Sequence, residues 1–346
     1  MELLTLDKNF QPLAYLEFIN LQWNREYYQA GSFSVQIPAI QYQPEMVYIY
    51  TPDRPETGII QKVELTESVK GRFVQLSGFF LENILNDKIV YPTYYAKGKL
   101  DSAVADMVEK YKEDIPLLKV IKPSGKAESI TWQETGGQLG TVAYTQLQTQ
   151  QMSFRCRYDY ASNSIEFSVW QGLDRTQDQT ENNFVIFSNG FRNLSNVKAS
   201  FDDSNYKNYA VIAGQDEGSD RKIAYADQSN GGYRKVLFVD ARNEKWNEEE
   251  QTEKEYLEGL RQKGIEKLLD YQNEKNIEVD VTQGTFQYLV DFDLGDIVDV
   301  ALEELGVSMQ ARIISVREVE KQNTHTITIE LGDKILTSLQ KARLIY

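Results

Sequence analysis

The chain has 346 residues, with 52 Asp and Glu against 37 Lys and Arg, for a net charge of −15. That length accommodates roughly two or three domains with proper cores, and that charge excludes holding nucleic acid by neutralising its phosphates. A single cysteine, Cys156, and a single histidine, His325, exclude an internal disulfide and any zinc site built from Cys and His.

The opening MELLTLDKNF lacks the basic and apolar regions of a secretory signal. No apolar run approaches the roughly 18 residues that span a bilayer. Synthesis and assembly in a cytoplasm are expected, with no membrane insertion by this chain. From Met1 to about Asp87 the pattern is β. Its most informative stretch is WNREYYQAGSFSVQIP, Trp23 to Pro38. Phe33, Val35 and Ile37 alternate with Ser32, Ser34 and Gln36, the period of a half-buried strand. Before them Trp23, Tyr27 and Tyr28 crowd around Arg25 and Glu26. MVYIY, IIQKVEL and GRFVQLSGFF add short strands, separated by turn formers such as Pro52, Pro55 and Gly58.

A helical region follows. Val104, Met107, Val108 and Tyr111 stand at i, i+3, i+4 and i+7, with Asp101 or Ser102 as N-cap and Pro116 closing the segment. SGKAESITWQETGGQ reads as a loop and LGTVAYTQLQTQ as a second short helix. SFRCRYDY and SIEFSVW read as strands joined at Ala161-Ser162-Asn163. Further strands lie in FVIFS, YAVIAGQ and KVLFVD. The segment from Asn243 to Lys275 reads as one long helix striped by Leu257, Leu260, Gly264 and Leu268. IEVDV, DFDLGDIVDV, ARIISVREVE and HTITIEL return to β, the last two as a hairpin around KQN.

Bond-breaking chemistry has few candidates. Carboxylates are paired in sequence at Asp202-Asp203, Asp291 with Asp293, and Asp293 with Asp296; Asp beside Gly at a strand entrance is ordinarily a turn residue. Asp174 and Arg175 are placed to pair with each other. Cys156 shares a strand face with Met152, Phe154 and Tyr158, and His325 stands in line with Ile327, Ile329 and Leu331, so both are expected to point inward as structural residues. Phosphate loops, dinucleotide fingerprints, EF-hands and nucleophile elbows are missing. No residue is put forward as catalytic, cofactor-binding or metal-ligating, and no cofactor is expected.

Four stretches together carry a likeness: WNREYYQAGSFSVQIP; LSGFFLENILNDKIV; WQGLDRTQDQTENNFVIFS followed by NYKNYAVIAGQ; and RQKGIEKL followed by FDLGDIVDV. In this order the chain resembles the baseplate hub, or tail-associated, proteins of phages and phage-tail-like particles from Gram-positive bacteria. The resemblance implies an α+β, β-dominated fold with two small tail-tube-like β-barrels, an inserted α+β domain and one long helix. The expected division is an N-terminal tube-like barrel over 1–90, an inserted domain over 91–180, a β segment completing or bridging the barrels over 181–245, the long helix over 246–276, and C-terminal barrel strands over 277–346.

The implied function is a structural hub in a virion tail or in the baseplate of a bacteriocin-like particle. It implies a homotrimer that binds a tail tube or distal tail ring protein on one side and a tip or spike protein on the other, with DNA only as cargo passing a net-acidic lumen. Trp23, Tyr27 and Tyr28 are then expected to be buried by partner subunits. Larger members of that family continue into a peptidoglycan-cleaving domain; here Tyr346 falls about where the last barrel is expected to close, and no enzyme activity is expected. The alternatives are a glycan- or receptor-binding module of a tail tip, which predicts exposed rings, and a cell-wall hydrolase using a pair such as Asp291 and Asp293.

Overall fold

A computed structural model describes residues 1–332 apart from positions 70, 248, 250, 273, 283, 322 and 323. Strands hold 44% of the chain and helices 17%, so the fold is α+β with β dominant, as expected. Its frame is a ten-stranded sheet. From one end the path runs Leu194–Asp202, Glu274–Val281, Thr324–Leu331, Val307–Lys321, Asn20–Glu26, Ser32–Pro38, Gly71–Phe79 and Lys62–Ser68, each antiparallel to the next. Alternation is the local cause: in Ser32–Pro38 the residues Phe33, Val35 and Ile37 are buried while the intervening ones are half-buried.

The strand Val307–Lys321 joins the two ends of the chain. Its first part pairs with Ile297–Leu302, which pairs in parallel with Ile186–Ser188. Its second part pairs with both Asn20–Glu26 and Thr324–Leu331. The switch falls at a register shift between Ile313 and Ser315, where Ile314 turns its carbonyl to the N–H of Tyr27. A bulge bends a strand and lets it serve two neighbourhoods.

A second sheet, Pro12–Leu16, Leu3–Leu6, Tyr48–Tyr50 and Gly58–Ile59, faces the N-terminal part of the first over a core that includes Leu3, Trp23, Phe33, Val35, Ile37 and Ile49. Among the described residues no sheet closes on itself. The two expected tube-like barrels are therefore not confirmed by this topology, which presents facing sheets.

The inserted unit carries two helices, α1 (Leu100–Tyr111) and α2 (Leu139–Gln148). The expected face of α1 is the buried one. Its start differs: Lys99 takes the N-cap position, and Asp101 sits inside the first turn with its carboxylate accepting the N–H groups of Ser102 and Lys126. The stretch expected as a loop contains the strand Ser129–Glu134, paired with Tyr94–Lys99 and anchored by buried Trp132.

A third unit packs α3 (Glu253–Leu268) on the sheet of Ile223–Asp227, Tyr209–Ala213 and Val236–Asp240. The helix is shorter than the expected 246–276. A capping box between Thr252 and Glu255 starts it, and residues 274–276 already belong to the strand Glu274–Val281. Gly264 fits because a Cβ there would meet Ile212 at 2.4 Å.

Candidate functional site

The aromatic run near the N-terminus is packed by the chain itself. Trp23 lies against Phe33 and Phe80, with ring centroids 6.0 and 4.6 Å away. Tyr27 meets Trp170 edge-on at 5.0 Å and donates its hydroxyl to the carbonyl of Gln151. Trp23, Tyr27 and Tyr28 are all buried. The expectation that partner subunits cover them is corrected: two facing sheets and the inserted unit already remove these rings from water, the more local way to bury large apolar area.

Arg25 shares the inward face with Leu21 and Trp23. Its Nε donates to Glu56 Oε1 at 2.7 Å, and its Nη1 donates to Tyr288 Oη at 2.6 Å and to Asp293 Oδ1. Burial by itself lowers the Arg25 pKa. The surrounding Glu56, Tyr288 and Asp293 outweigh it, and the guanidinium is held well above its ordinary value. Arg54 also lies over the Tyr288 ring, 5.5 Å from its centroid, and pairs through its fork with buried Glu318. Burial acts to raise the Glu318 carboxyl, but the hydrogen bonds from Arg54 and His325 win and hold it below the usual range. The result is a chain of charges that ties Arg25, Arg54 and Glu56, near the N-terminus, to Tyr288, Asp293 and Glu318, near the C-terminus.

A second junction joins distant glycines. A Cβ on Gly172 would lie 2.0 Å from the carbonyl carbon of Gly295, and one on Gly295, at φ +85°, would lie 2.5 Å from Tyr27. Beside them Asp296 accepts the N–H of Leu173 at 2.8 Å and Arg175 Nε at 2.6 Å. Arg175 therefore pairs with Asp296 and not with Asp174, whose carboxylate accepts the N–H of Thr176. Burial raises the Asp296 carboxyl, and the Arg175 contact opposes it.

The other acids paired in sequence make local contacts. Asp291 accepts the N–H of Gln287 at 2.7 Å, a turn contact. Asp293 is taken by Arg25 and by the N–H of Leu294. Asp202 accepts the N–H of Ser204, and Asp203 pairs with Lys235. Cys156 is buried as expected, and burial pushes its thiol well up. His325 departs from expectation: it is 47% exposed, 3.3 Å from Glu318, because the start of its strand runs past the packed core. Among the described residues, no group of three or more His, Cys, Asp and Glu is placed to hold a metal ion. Among the same residues, no helix is long and apolar enough to cross a membrane.

The model of the Siphovirus ReqiPepy6 Gp37-like protein family matches residues 2–333. The chain belongs to that family. Solved structures similar to this Gp37-like chain include tail proteins. A tail protein from Neisseria meningitidis MC58 is 14% identical, with 95% of each chain covered and a TM-score of 0.61. The prophage MuSo2 43 kDa tail protein from Shewanella oneidensis is 14% identical, with 96% of this chain and 98% of that one covered and a TM-score of 0.62. Prophage tail protein gp18 from Listeria monocytogenes EGD-e is 13% identical, with 100% and 99% covered and a TM-score of 0.57. At such identities the likeness is one of fold. No curated protein matches the chain.

In this Gp37-like protein, pieces of all four stretches that carry the resemblance come together. Gly31 lies against Phe80, and Tyr27 against Gly295, which is itself packed on Gly172. The ion-pair chain through Arg25 was missed in sequence. Its one local signal is an arginine at an inward position of an alternating strand.

Proposed function

We propose that this Gp37-like protein is a structural hub of a phage-tail baseplate, three copies of which form a ring that joins the tail tube to the tip or spike. The observation that carries the proposal is the state of the two ends of the ten-stranded sheet. Every residue of Lys62–Ser68 is exposed. Val63 and Leu65 stand opposite buried Leu76 and Val74, hence on the core face, yet they are 43% and 67% exposed. At the far end Phe201 shares a face with Ala199, opposite buried Ile277, and is 43% exposed.

Two different open ends on one molecule make a heterologous contact, and such contacts close a ring when the rotation allows. Pairing the ends also removes the edges that otherwise invite aggregation. Residues 1–90 and 277–346 then supply the tube-like barrels, of which 333–346 lie outside the described residues. The inserted unit of 91–180 sits beside them, and residues 181–245 divide between the main sheet and the α3 unit. The partners are a tail tube or distal tail ring protein and a tip or spike protein, and the channel wall is net acidic, so that passing DNA is not held. The place of action is the virion tail, and the role is mechanical.

Light scattering after size exclusion tests this. A trimer is expected; a strict monomer at high concentration, with no ring in particle images, overturns it. One observation favours a receptor- or glycan-binding role instead: Tyr225, Tyr233 and Phe238 are exposed on the α3 unit. Retention on host cell walls that is lost when these rings are replaced, without any trimer, would support that second reading.

A further inference from the structure

Three hydrophobic cores meet at a cavity of about 20 Å³, a volume that holds about one water molecule. Phe80 comes to it from the N-terminal core, Tyr144 and Phe154 from the inserted unit, and Leu294 from the C-terminal core. Three carboxylates line it, those of Glu26, Glu56 and Glu82. Glu82, on the 3-10 turn Leu81–Asp87, is 6% exposed. Its Oε1 accepts the N–H of Cys156 at 3.1 Å, and its Oε2 has no hydrogen-bond partner among the described residues. Glu56 gives Oε1 to Arg25, and its Oε2 is likewise without a partner.

The other charged or titratable groups facing Glu82 are Arg25 and Glu26 from Asn20–Glu26, Arg155 and Cys156 from Ser153–Asp159, and Tyr144 from α2. Arg155 is attracted by the charge of Glu56 but makes no ion pair with it. Its guanidinium lies over the Trp170 ring at 5.0 Å, and it has no ion pair among the described residues. Burial lowers its pKa.

We propose that Glu82 is held protonated at this cavity, and that losing the proton loosens the seat of the inserted unit on the N-terminal sheet. A buried carboxylate whose second oxygen has no hydrogen-bond partner, with the charge of Glu56 lining the same cavity, is disfavoured in its ionised form, and a proton on that oxygen turns an unpaired acceptor into a donor. Burial, then the charge of Glu56, pushes the Glu82 carboxyl from 4.5 up to about 7. The sign follows from linkage. The folded chain binds this proton more tightly than the unfolded one, so the stabilisation is full below the unfolded value and is lost as pH rises through about 7. The elements affected are α2 and Ser153–Asp159. This inference stands apart from the trimer and is unaffected if that fails.

Hydrogen exchange in α2 and Ser153–Asp159, corrected for the intrinsic rate, tests it. Between about pH 5.5 and about pH 8.5 the opening constant of the wild type is expected to rise about thirtyfold. In Glu82→Gln, which keeps the shape without the charge, it stays flat; an equal rise in the variant overturns the proposal. The wild type alone gives a second measurement, free of any folding defect in the variant. Its infrared carboxylic-acid band is expected to titrate near pH 7; a band already gone by about pH 5, the range of an ordinary carboxyl, overturns the proposal.

Discussion

Arg25 and Asp293 lie 268 positions apart and share a charge-assisted hydrogen bond, with Arg25 fully buried and Asp293 at the rim. The bond ties the first strand of the main sheet to the turn that precedes Ile297–Leu302. It ties the N-terminal part of the main sheet to the C-terminal core.

Replacing Arg25 with Met is expected to leave Glu56 and Asp293 as uncompensated acids beside Tyr288. Breaking a buried pair from one side costs about 3–5 kcal/mol, to be read as lost unfolding free energy in urea. Arg25→Lys is expected to recover only part of it, since one ammonium does not reproduce a fork that reaches Glu56 and Asp293 at once.

Gly172→Ala is expected to destabilise by about 1–3 kcal/mol, the usual range for overpacking, because its Cβ would meet the Gly295 backbone at 2.0 Å. Gly259, inside α3, has open space where a methyl group would stand, with no atom within 4 Å, and Gly259→Ala is expected to stabilise by about 0.5–1 kcal/mol. Thermal melting of the two variants should move in opposite directions.

Glu318 has its carboxyl held below the usual range by Arg54 and His325 against the pull of burial. A depressed folded value means that its stabilisation is present above the unfolded pKa and is lost as pH falls through the folded one. Arg54→Ala removes the larger partner. Its acid-unfolding midpoint, followed by circular dichroism, is expected at a higher pH than that of the wild type.

Val63→Asp with Leu65→Asp changes only exposed positions. The isolated fold is expected to keep its stability within about 0.5 kcal/mol, while light scattering is expected to report loss of the proposed trimer. Equal loss of both would assign these residues to the fold alone.

Much of this architecture is legible in the sequence. The alternation of Phe33, Val35 and Ile37 places a strand, and the spacing of Val104, Met107, Val108 and Tyr111 places the buried face of α1. Cys156 points inward as its strand face implies. Ser129–Glu134 is not legible, since its polar residues make a strand only by pairing with Tyr94–Lys99. The short α3 is half legible, because the capping box of Thr252 and Glu255 is local, whereas the strand that begins at Glu274 depends on its neighbours.

What the residues determined by themselves were the local periodicities, the exclusion of an internal disulfide, and the likeness to phage tail proteins. Only the tertiary structure decided who meets whom. Trp23 is covered by Phe80 and not by a partner subunit, Arg175 answers Asp296 and not its neighbour Asp174, and Glu82 and Glu56 line one cavity at a junction of three cores. Periodicity is set within a few residues by backbone geometry. The partner of a buried charge is set by register between strands far apart in the chain, and a shift of one residue there turns every side chain to the other face.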